Sequence, residues 1–256
     1  MPFNEQNSVE HFIIHHFTGI NLNSVQINTV KEETVPYDVV GWKYVQADLL
    51  SRDTSDILIE RELKESLIRL NPDIALHPER VEEVIHKLRA ILITVNNVGL
   101  VRANEEFAKW LCNEVTLPFG KNNQHVPIKI IDFEKISNNS FILSNQVKVR
   151  AREIKIPDIV MYVNGIPLVV GEVKTPVRPS ISWLDGAHDI SVVYENAIPQ
   201  LFVPNVFSFA TEGKEIFIGG VRTPLEFWAP WRIEDEKDDL VHFVGLQDVA
   251  KQVTHL

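Results

Sequence analysis

An aspartate, a glutamate and a lysine in the second half of the chain have types and spacing that could support metal-dependent chemistry. Asp158 begins a strand-like segment, and Glu172 and Lys174 end the next one. Two carboxylates a few ångströms apart repel each other, and a hard divalent cation such as Mg²⁺ relieves that repulsion while keeping places for water and phosphate. A nearby lysine can orient or deprotonate the attacking water, or stabilise charge in the transition state. The three residues therefore predict metal-dependent hydrolysis of a phosphodiester.

Whether these three residues meet depends on the register of a hairpin. Asn164-Gly165 is a strong signal for a tight turn between the two segments. A strict two-residue turn would pair Asp158 with Gly171 and point Glu172 to the opposite face of the sheet. One additional loop or bulge residue, for example a three-residue loop, would pair Asp158 with Glu172 and place all three side chains on one face. We predict the second register, because the first gives no site.

The alternative is that a strand end carries solvated charged residues by chance, since the bare pattern of the three residues is weak. The run before Glu172, residues 168–171, is typical of a strand buried on both faces, where an unpaired carboxylate is costly. This environment favours a functional role for Glu172. Glu60 is a candidate third acid because it falls on the same helix side as Leu63 and Leu67. A helix-edge glutamate that pairs with a basic residue explains Glu60 equally well.

The surrounding pattern predicts helices in the first half and strands from about residue 125. Apolar residues at helical spacing indicate helices over residues 56–70, with Thr54 and Ser55 as caps, and over residues 79–93, 104–111, 184–198 and 238–252. The order around the candidate site is helix, three strands, helix, strand. This order predicts an α/β fold with a mixed central sheet flanked by helices.

Composition limits the classes of partner. The chain has 256 residues, 45% of them hydrophobic, and a net charge of −10. No apolar run approaches the length of a membrane span, no signal peptide is visible, and the single Cys112, expected to be buried, fits a reducing compartment, so we expect a cytoplasmic protein. The acidic charge argues against a free-standing DNA binder. Either a local basic strip or another protein must hold the DNA, and the candidate strip is Lys148, Arg150, Arg152 and Lys155.

Four long segments resemble a known family. They are LIERELKESLIRLNP, NSFILSNQVKV, PDIVMYVNGIPLVVGEVKTP and IPQLFVPNVFSFATEGKE, and they lie within residues 55–220. Together they are similar to the PD-(D/E)XK nucleases, and more closely to the N-terminal nuclease domain of the restriction (R) subunit of type I restriction–modification enzymes. The resemblance implies a restriction-endonuclease-like αβββαβ core, with Asp158, Glu172 and the Val173 carbonyl as metal ligands. It also implies that Lys174 is catalytic and that Glu60 is the helix acid.

One position departs from the family pattern. Many such domains have a glutamine four residues before a tyrosine on the helix that follows the lysine. Tyr194 is present here, but the matching position is Ile190. We expect Tyr194 to contact DNA, and either His188 or Asp189 to replace the glutamine unless that contact is absent.

The resemblance also implies partners. These are double-stranded DNA, helicase-like motor domains of the same subunit that use ATP, and methyltransferase and specificity subunits; Mg²⁺ is the expected cofactor, with Mn²⁺ as a substitute. The expected organisation is a single endonuclease domain over residues 1–256, with an extension at 1–50, the core at 55–220 and a segment at 221–256 that leads to a motor. The alternatives are a stand-alone repair or junction nuclease, and a degenerate module that docks a motor or DNA ends.

Overall fold

A mixed seven-stranded sheet forms the centre of the fold. The computed structural model describes residues 9–22, 41–175 and 182–231. In chain order, the strands of this part are β1 Lys43–Tyr44, β2 Thr116–Leu117, β3 Val126–Pro127, β4 Phe141–Asn145, β5 Val149–Arg150, β6 Ile154–Lys155, β7 Ile159–Val163, β8 Ile166–Val173, β9 Phe207–Thr211, β10 Ile216–Gly219 and β11 Ala229–Pro230. The central sheet has the order β1-β4-β7-β8-β9-β10-β11, while β2–β3 and β5–β6 form two small hairpins.

Two of the pairings in the central sheet are parallel. They are β1 with β4 and β8 with β9, and the other neighbours are antiparallel. The strands β4, β7 and β8 thus form an antiparallel meander, and the chain returns through helices to β9. The predicted α/β architecture, a mixed sheet flanked by helices, is confirmed.

The helices lie mainly before β2 and between β8 and β9. Their bounds are α1 His11–Thr18, α2 Glu60–Leu70, α3 Pro72–Ala75, α4 Arg80–Val98, α5 Leu100–Leu111, α6 Trp183–His188, a π-helical turn at Asp189–Tyr194, α7 Glu195–Ala197 and α8 Pro199–Phe202. Within the described ranges, no helix combines the length and apolarity needed to cross a membrane. The helix predicted for residues 238–252 lies outside the described residues.

Helix α2 begins four residues later than its apolar pattern predicts. Ile59 has a non-helical backbone, and its N–H donates to the carbonyl of Gly165 at 2.8 Å. Thr54 and Ser55 therefore do not cap the helix. Its buried face still contains Leu63, Leu67 and Leu70, as the spacing predicts.

Two described segments of the first 50 residues, 9–22 and 41–50, contribute to the core. Ile13 and Ile14 of α1 are at most 1% exposed, and β1 adds a parallel strand beside β4. The described part of the segment expected to be an extension thus adds a helix and a strand to the fold. At the other end, β11 pairs with β10 beyond the expected core boundary at residue 220.

The β7–β8 hairpin has a tight turn and a bulge. Asn164 and Gly165 both have positive φ, 53° and 78°, as a two-residue type I′ turn requires. Below the turn, Tyr162 pairs with Pro167, and the register then shifts before the pair of Met161 with Val169. Leu168 is therefore the additional residue, located in the strand and not in the loop.

The bulge sets the register of the far end of the hairpin. Ile159 pairs with Gly171, so the next positions, Asp158 and Glu172, lie opposite each other. This is the predicted register. A bulge bends and twists its strand, and bulges are common beside functional sites.

The hairpin turn is attached to α2 by a buried polar network. The Asn164 side chain is fully buried, accepts from Ser66 Oγ at 3.0 Å and Ser140 N at 2.8 Å, and donates to Ile130 O and Asn139 Oδ1, both at 2.8 Å. Every hydrogen-bonding group of this amide is used. The network fixes the turn, and through it the register of the strands.

Gly165→Ala is expected to destabilise the protein by about 3 kcal/mol or more, because the new Cβ would collide with the Ile59 carbonyl oxygen in a backbone conformation that already disfavours alanine. Urea unfolding of the full chain measures the loss. Gly19→Ala is the matched control, since Gly19 also has positive φ but open space around its Cα. It should cost only about 1 kcal/mol. Equal losses in the two variants would contradict the packing argument.

Candidate active site

The predicted triad meets at the end of β7 and β8 opposite the turn. The Val173 N–H donates to Asp158 Oδ2 at 2.8 Å, which ties the start of β7 to the end of β8. Lys174 Nζ lies 3.0 Å from Glu172 Oε1. The structure therefore brings Asp158, Glu172 and Lys174 together, as the register predicted.

Glu172 is a buried acid with one unsatisfied oxygen. Its side chain is 6% exposed. Helix α6 covers it at Gly186, where a Cβ would lie 3.4 Å from Glu172 Cγ. Glu172 Oε2 is buried without a hydrogen-bond partner. Burial first, and the negative charge of Asp158 second, raise the pKa of Glu172 to about 8, although Lys174 opposes the shift.

This environment meets the requirements of a divalent cation. A buried carboxylate oxygen without a donor, beside a second carboxylate, is stabilised by either a proton or a cation. Mg²⁺ uses one or two protein carboxylates and completes its shell with water and substrate phosphate, so the pair is a sufficient donor set. The residues present at Asp158 and Glu172 fit the ion.

Lys174 is held between two carboxylates. Its Nζ lies 3.0 Å from Glu172 Oε1 and 2.6 Å from Asp189 Oδ2. Burial by itself lowers the pKa of Lys174, but the hydrogen bonds and charges of Asp189 and Glu172 outweigh it and raise that pKa above its usual value. The lysine is therefore a protonated donor near neutral pH.

A π-helical turn places Asp189 beside the lysine. The N–H of Glu195 donates to the carbonyl of Ile190, five residues earlier. A π turn contains one more residue than an α-helical turn. The residue one turn before Tyr194 on the same face of the helix is therefore Asp189, five positions earlier. Ile190, the position of the family glutamine, is fully buried in the core.

Tyr194 lies in the same electrostatic environment. Burial, then the charges of Glu172 and Asp158, and then a looser polar contact of its hydroxyl with Glu172 raise the pKa of Tyr194 far above its usual value. The structure thus brings Tyr194 and Asp189 to the acidic pair. Of the two residues offered as substitutes for the glutamine, His188 is exposed and Asp189 contacts the lysine.

Gln146 and Glu10 belong to the site, and sequence reasoning missed both. Gln146 Nε2 donates to Asp158 Oδ1 at 2.8 Å and to Glu10 Oε1 at 2.9 Å. Glu10 is 1% exposed and also accepts from Asn145 Nδ2 at 3.1 Å. Gln146 adopts a left-handed backbone with φ 52°, a conformation that costs energy in a residue with a side chain.

A helical projection would have made Glu10 a candidate beside Glu60. Ile13, Ile14 and Phe17, which line the buried face of α1, follow Glu10 by three, four and seven residues. This spacing places Glu10 on the same inward face. The same reasoning, applied to Glu60, selects a residue that pairs with Arg89.

The structure does not bring Glu60 to the acidic pair. Glu60 Oε1 forms an ion pair with Arg89 at 2.7 Å, and its side chain is 31% exposed. The start of α2 is hydrogen-bonded to the hairpin turn, about 15–20 Å along the strands from Asp158. Among the described residues, no three or more acidic, histidine or cysteine side chains gather to hold a metal. The alternative interpretation, a helix-edge glutamate paired with a basic residue, is the observed one.

The basic strip forms the small hairpin between Gln146 and Asp158. Lys148, Arg150 and Arg152 are exposed, while Lys155 pairs with Glu153 at 2.9 Å. Arg152 donates weakly to the Asn196 carbonyl at 3.3 Å. The exposed positive side chains therefore lie at the surface, on the hairpin that joins Gln146 to Asp158.

Cys112 is exposed and does not lie in the core as expected. It follows the last residue of α5, whose buried face contains Trp110 and Leu111. The helix ends there, so the next side chain points away from the core.

Comparisons with known proteins place the chain in one family. Residues 3–227 match the family model described as "Type I restriction enzyme R protein N terminus". The chain is 31% identical over 212 residues to the "Type I restriction enzyme HindI endonuclease subunit" of Haemophilus influenzae, an alignment that covers 78% of this chain and 19% of that protein. It is 26% identical over 171 residues to the "Putative type I restriction enzyme MjaIXP endonuclease subunit" of Methanocaldococcus jannaschii, which covers 64% of this chain and 16% of that protein.

The chain therefore spans less than a fifth of the length of these relatives. The family match covers α1 and all the strands up to β10, including every residue placed at the candidate site. The chain belongs to the family of type I restriction enzyme R protein N termini.

Proposed function

We propose that this chain is the Mg²⁺-dependent endonuclease domain of a type I restriction enzyme R subunit, which hydrolyses phosphodiester bonds of double-stranded DNA. The observation that carries the proposal is the buried, unpartnered oxygen of Glu172 opposite Asp158, with the Lys174 ammonium alongside. A buried carboxylate oxygen without a hydrogen-bond donor is an expensive structural feature, and catalysis is a reason to retain it.

The metal ligands in this proposal are Asp158, Glu172 and the Val173 carbonyl. When bound there, Mg²⁺ would lower the pKa of a coordinated water and neutralise charge on the phosphate, and Mn²⁺ would substitute for it. Asp158 is oriented for this role, because Val173 N and Gln146 Nε2 each hold one of its oxygens at 2.8 Å. Glu10 in turn fixes Gln146.

Lys174 acts in the proposal as a charged donor. Its ammonium would stabilise negative charge on the scissile phosphate and orient the attacking water. The protonated hydroxyl of Tyr194 is a second donor near the phosphate or at the DNA backbone. Both groups donate where charge accumulates in the transition state.

The DNA in this proposal is held mainly by other parts of the enzyme. The chain has a net charge of −10, and backbone binding depends on cationic side chains. Helicase-like motor domains that use ATP, together with methyltransferase and specificity subunits, would bring the duplex to the site. Lys148, Arg150 and Arg152 would supply local phosphate contacts next to Asp158.

The contribution of the basic hairpin is expected in the salt dependence of DNA binding. Lys148→Ala combined with Arg150→Ala removes two exposed cations and should reduce the slope of log affinity against log salt by about 2. Fluorescence anisotropy with duplex DNA, from low to moderate salt, measures the slope. Arg61→Ala with Lys64→Ala on α2 is the charge-matched control, and an equal change in the control would contradict a local role.

The metal proposal is tested by Mn²⁺ binding to the full chain. Calorimetry should find one site that Asp158→Asn weakens at least tenfold, because the variant removes a ligand charge and keeps the side-chain shape. Asp185→Asn is the control, since Asp185 caps α6 and asparagine can keep the bond from Ser182 N, 2.8 Å in the native chain. Absence of binding, or equal binding by both variants, would overturn the proposal and favour a degenerate docking module. Efficient, structure-selective cutting by the chain alone would instead favour a stand-alone nuclease.

A further inference from the structure

We propose that Asp189 is a positioning residue that keeps the Lys174 ammonium in the active site when Glu172 binds a metal ion. This inference rests on the proposed nuclease function. It assigns a role to a residue outside the triad, and the geometry of one ion-pair chain carries it. Lys174 Nζ lies 2.6 Å from Asp189 Oδ2 and 3.0 Å from Glu172 Oε1.

The ammonium and a metal ion compete for the same carboxylate. Glu172 Oε1 is taken by Lys174, and only Oε2 is without a partner. A cation at Glu172 withdraws charge from the ion pair and repels the ammonium, and both effects are strong in a buried site. Without a second counter-ion, Lys174 would either leave or weaken metal binding.

Asp189 is placed to be that second counter-ion. Its bond to Lys174 is the shorter of the two, and its side chain is 36% exposed, compared with 6% for Glu172. An ion pair at the rim is partly hydrated, so the contact between Asp189 and Lys174 can persist while the buried Glu172 turns to the metal. Lys174 can then remain paired with Asp189 and still reach a phosphate bound at the ion.

The π turn is the structural device that makes this contact. In an uninterrupted α-helix, the residue stacked over Tyr194 would be Ile190, an apolar side chain that is fully buried here. The extra residue in the turn brings Asp189 over Tyr194 and towards the lysine. π turns are rare and occur frequently at functional sites.

Asp189 acts through the lysine and is not itself a ligand in this proposal. The described residues contain no group of three acidic side chains close enough to share a metal. Lys174 Nζ also stands between the carboxylates of Glu172 and Asp189, with a hydrogen bond to each. A direct role would require the ammonium to move out first.

A double-mutant cycle on Mn²⁺ binding to the full chain tests the inference. We expect Asp189→Asn to weaken Mn²⁺ roughly tenfold, because the lysine then returns to Glu172. In a Lys174→Met background, the same substitution should have almost no effect, since there is no ammonium to hold. Asp189→Glu should restore most of the affinity, and Asp185→Asn, which removes the same charge elsewhere on the helical segment, should match the native chain. Thermal unfolding of each variant identifies any loss of fold.

The outcomes separate the two proposals. A native chain without Asp158-dependent Mn²⁺ binding overturns the nuclease function itself. Native binding that Asp189→Asn leaves unchanged overturns only the role of Asp189. An equal loss in the native and Lys174→Met backgrounds also overturns it, because Asp189 would then act on the ion directly by its charge.

Discussion

In the complete restriction enzyme, Lys174→Ala is expected to reduce DNA cleavage by a factor of about 10²–10⁴, the range for loss of a preorganised charged donor or proton-transfer group. ATP hydrolysis and translocation should continue at their native rates, because Lys174 contacts Glu172 and Asp189 within this domain. Cleavage of covalently closed circular DNA, with ATPase rate as the parallel readout, measures the difference.

The control for this substitution is Lys64→Ala. Lys64 is a surface lysine that pairs with Glu82 at 2.6 Å, far along α2 from the acidic pair. The Lys64→Ala substitution removes the same charge at a position outside the site and should leave cleavage unchanged. Cleavage by the Lys174→Ala enzyme within about tenfold of native would contradict the assignment, since no donor effect of the stated size would then exist.

The expected loss is large because the site is fixed from several sides. Asp158 is oriented by β8 through Val173 and by the end of β4 through Gln146. Glu172 is covered by α6, and Lys174 is held by the π turn. Four separate elements thus hold Asp158, Glu172 and Lys174 in place before substrate binds. This is the preorganisation that electrostatic catalysis requires.

Much of this constellation follows from the sequence. The hairpin and the need for one additional residue can both be inferred from residues 158–174. The location of that residue cannot, because a bulge at Leu168 and a three-residue loop give the same register. The Asn164 network decides between them by fastening a tight two-residue turn to α2.

The helix acid shows where a local pattern fails. Glu60 and Glu10 both precede an apolar helical stripe, and periodicity alone does not say which helix reaches the carboxylates. Long-range pairing decides: α2 begins beside the hairpin turn, while the start of α1 lies near the end of β4, where Gln146 contacts both Glu10 and Asp158. A helix–helix ion pair with Arg89 then satisfies Glu60.

The contact of Asp189 with the lysine escapes sequence reasoning for a different reason. A regular α-helix, with 3.6 residues per turn, places Ile190 over Tyr194. A π turn adds one residue, and no residue type in DISVVY marks it. At the position that departs from the family pattern, the helix contains a π turn, Ile190 is buried and Asp189 contacts the lysine.

The metal-free protein is expected to lose stability as pH rises from about 4.5 to about 8, and Glu172→Gln should remove much of that loss. Because the folded-state pKa of Glu172 is raised from 4.5 to about 8, the native state binds more protons than the unfolded state in this window. The loss of stability caused by ionising Glu172 in the folded protein is absent below about pH 4.5 and complete above about pH 8. Denaturant unfolding at pH 5 and pH 8 with a chelator present measures the difference between native and variant.

The gain in Glu172→Gln is expected to be a few kcal/mol at pH 8 and close to zero at pH 5, since a protonated glutamate and a glutamine carry the same charge. Glu153→Gln, an exposed acid paired with Lys155, is the control and should show no such window. Saturating Mn²⁺ should stabilise the native chain by about 3 kcal/mol at 100-fold excess over Kd and leave the variant almost unchanged. A difference between native and variant that is equal at both pH values would contradict the burial argument, because a cost of ionisation must vanish when the carboxyl is protonated.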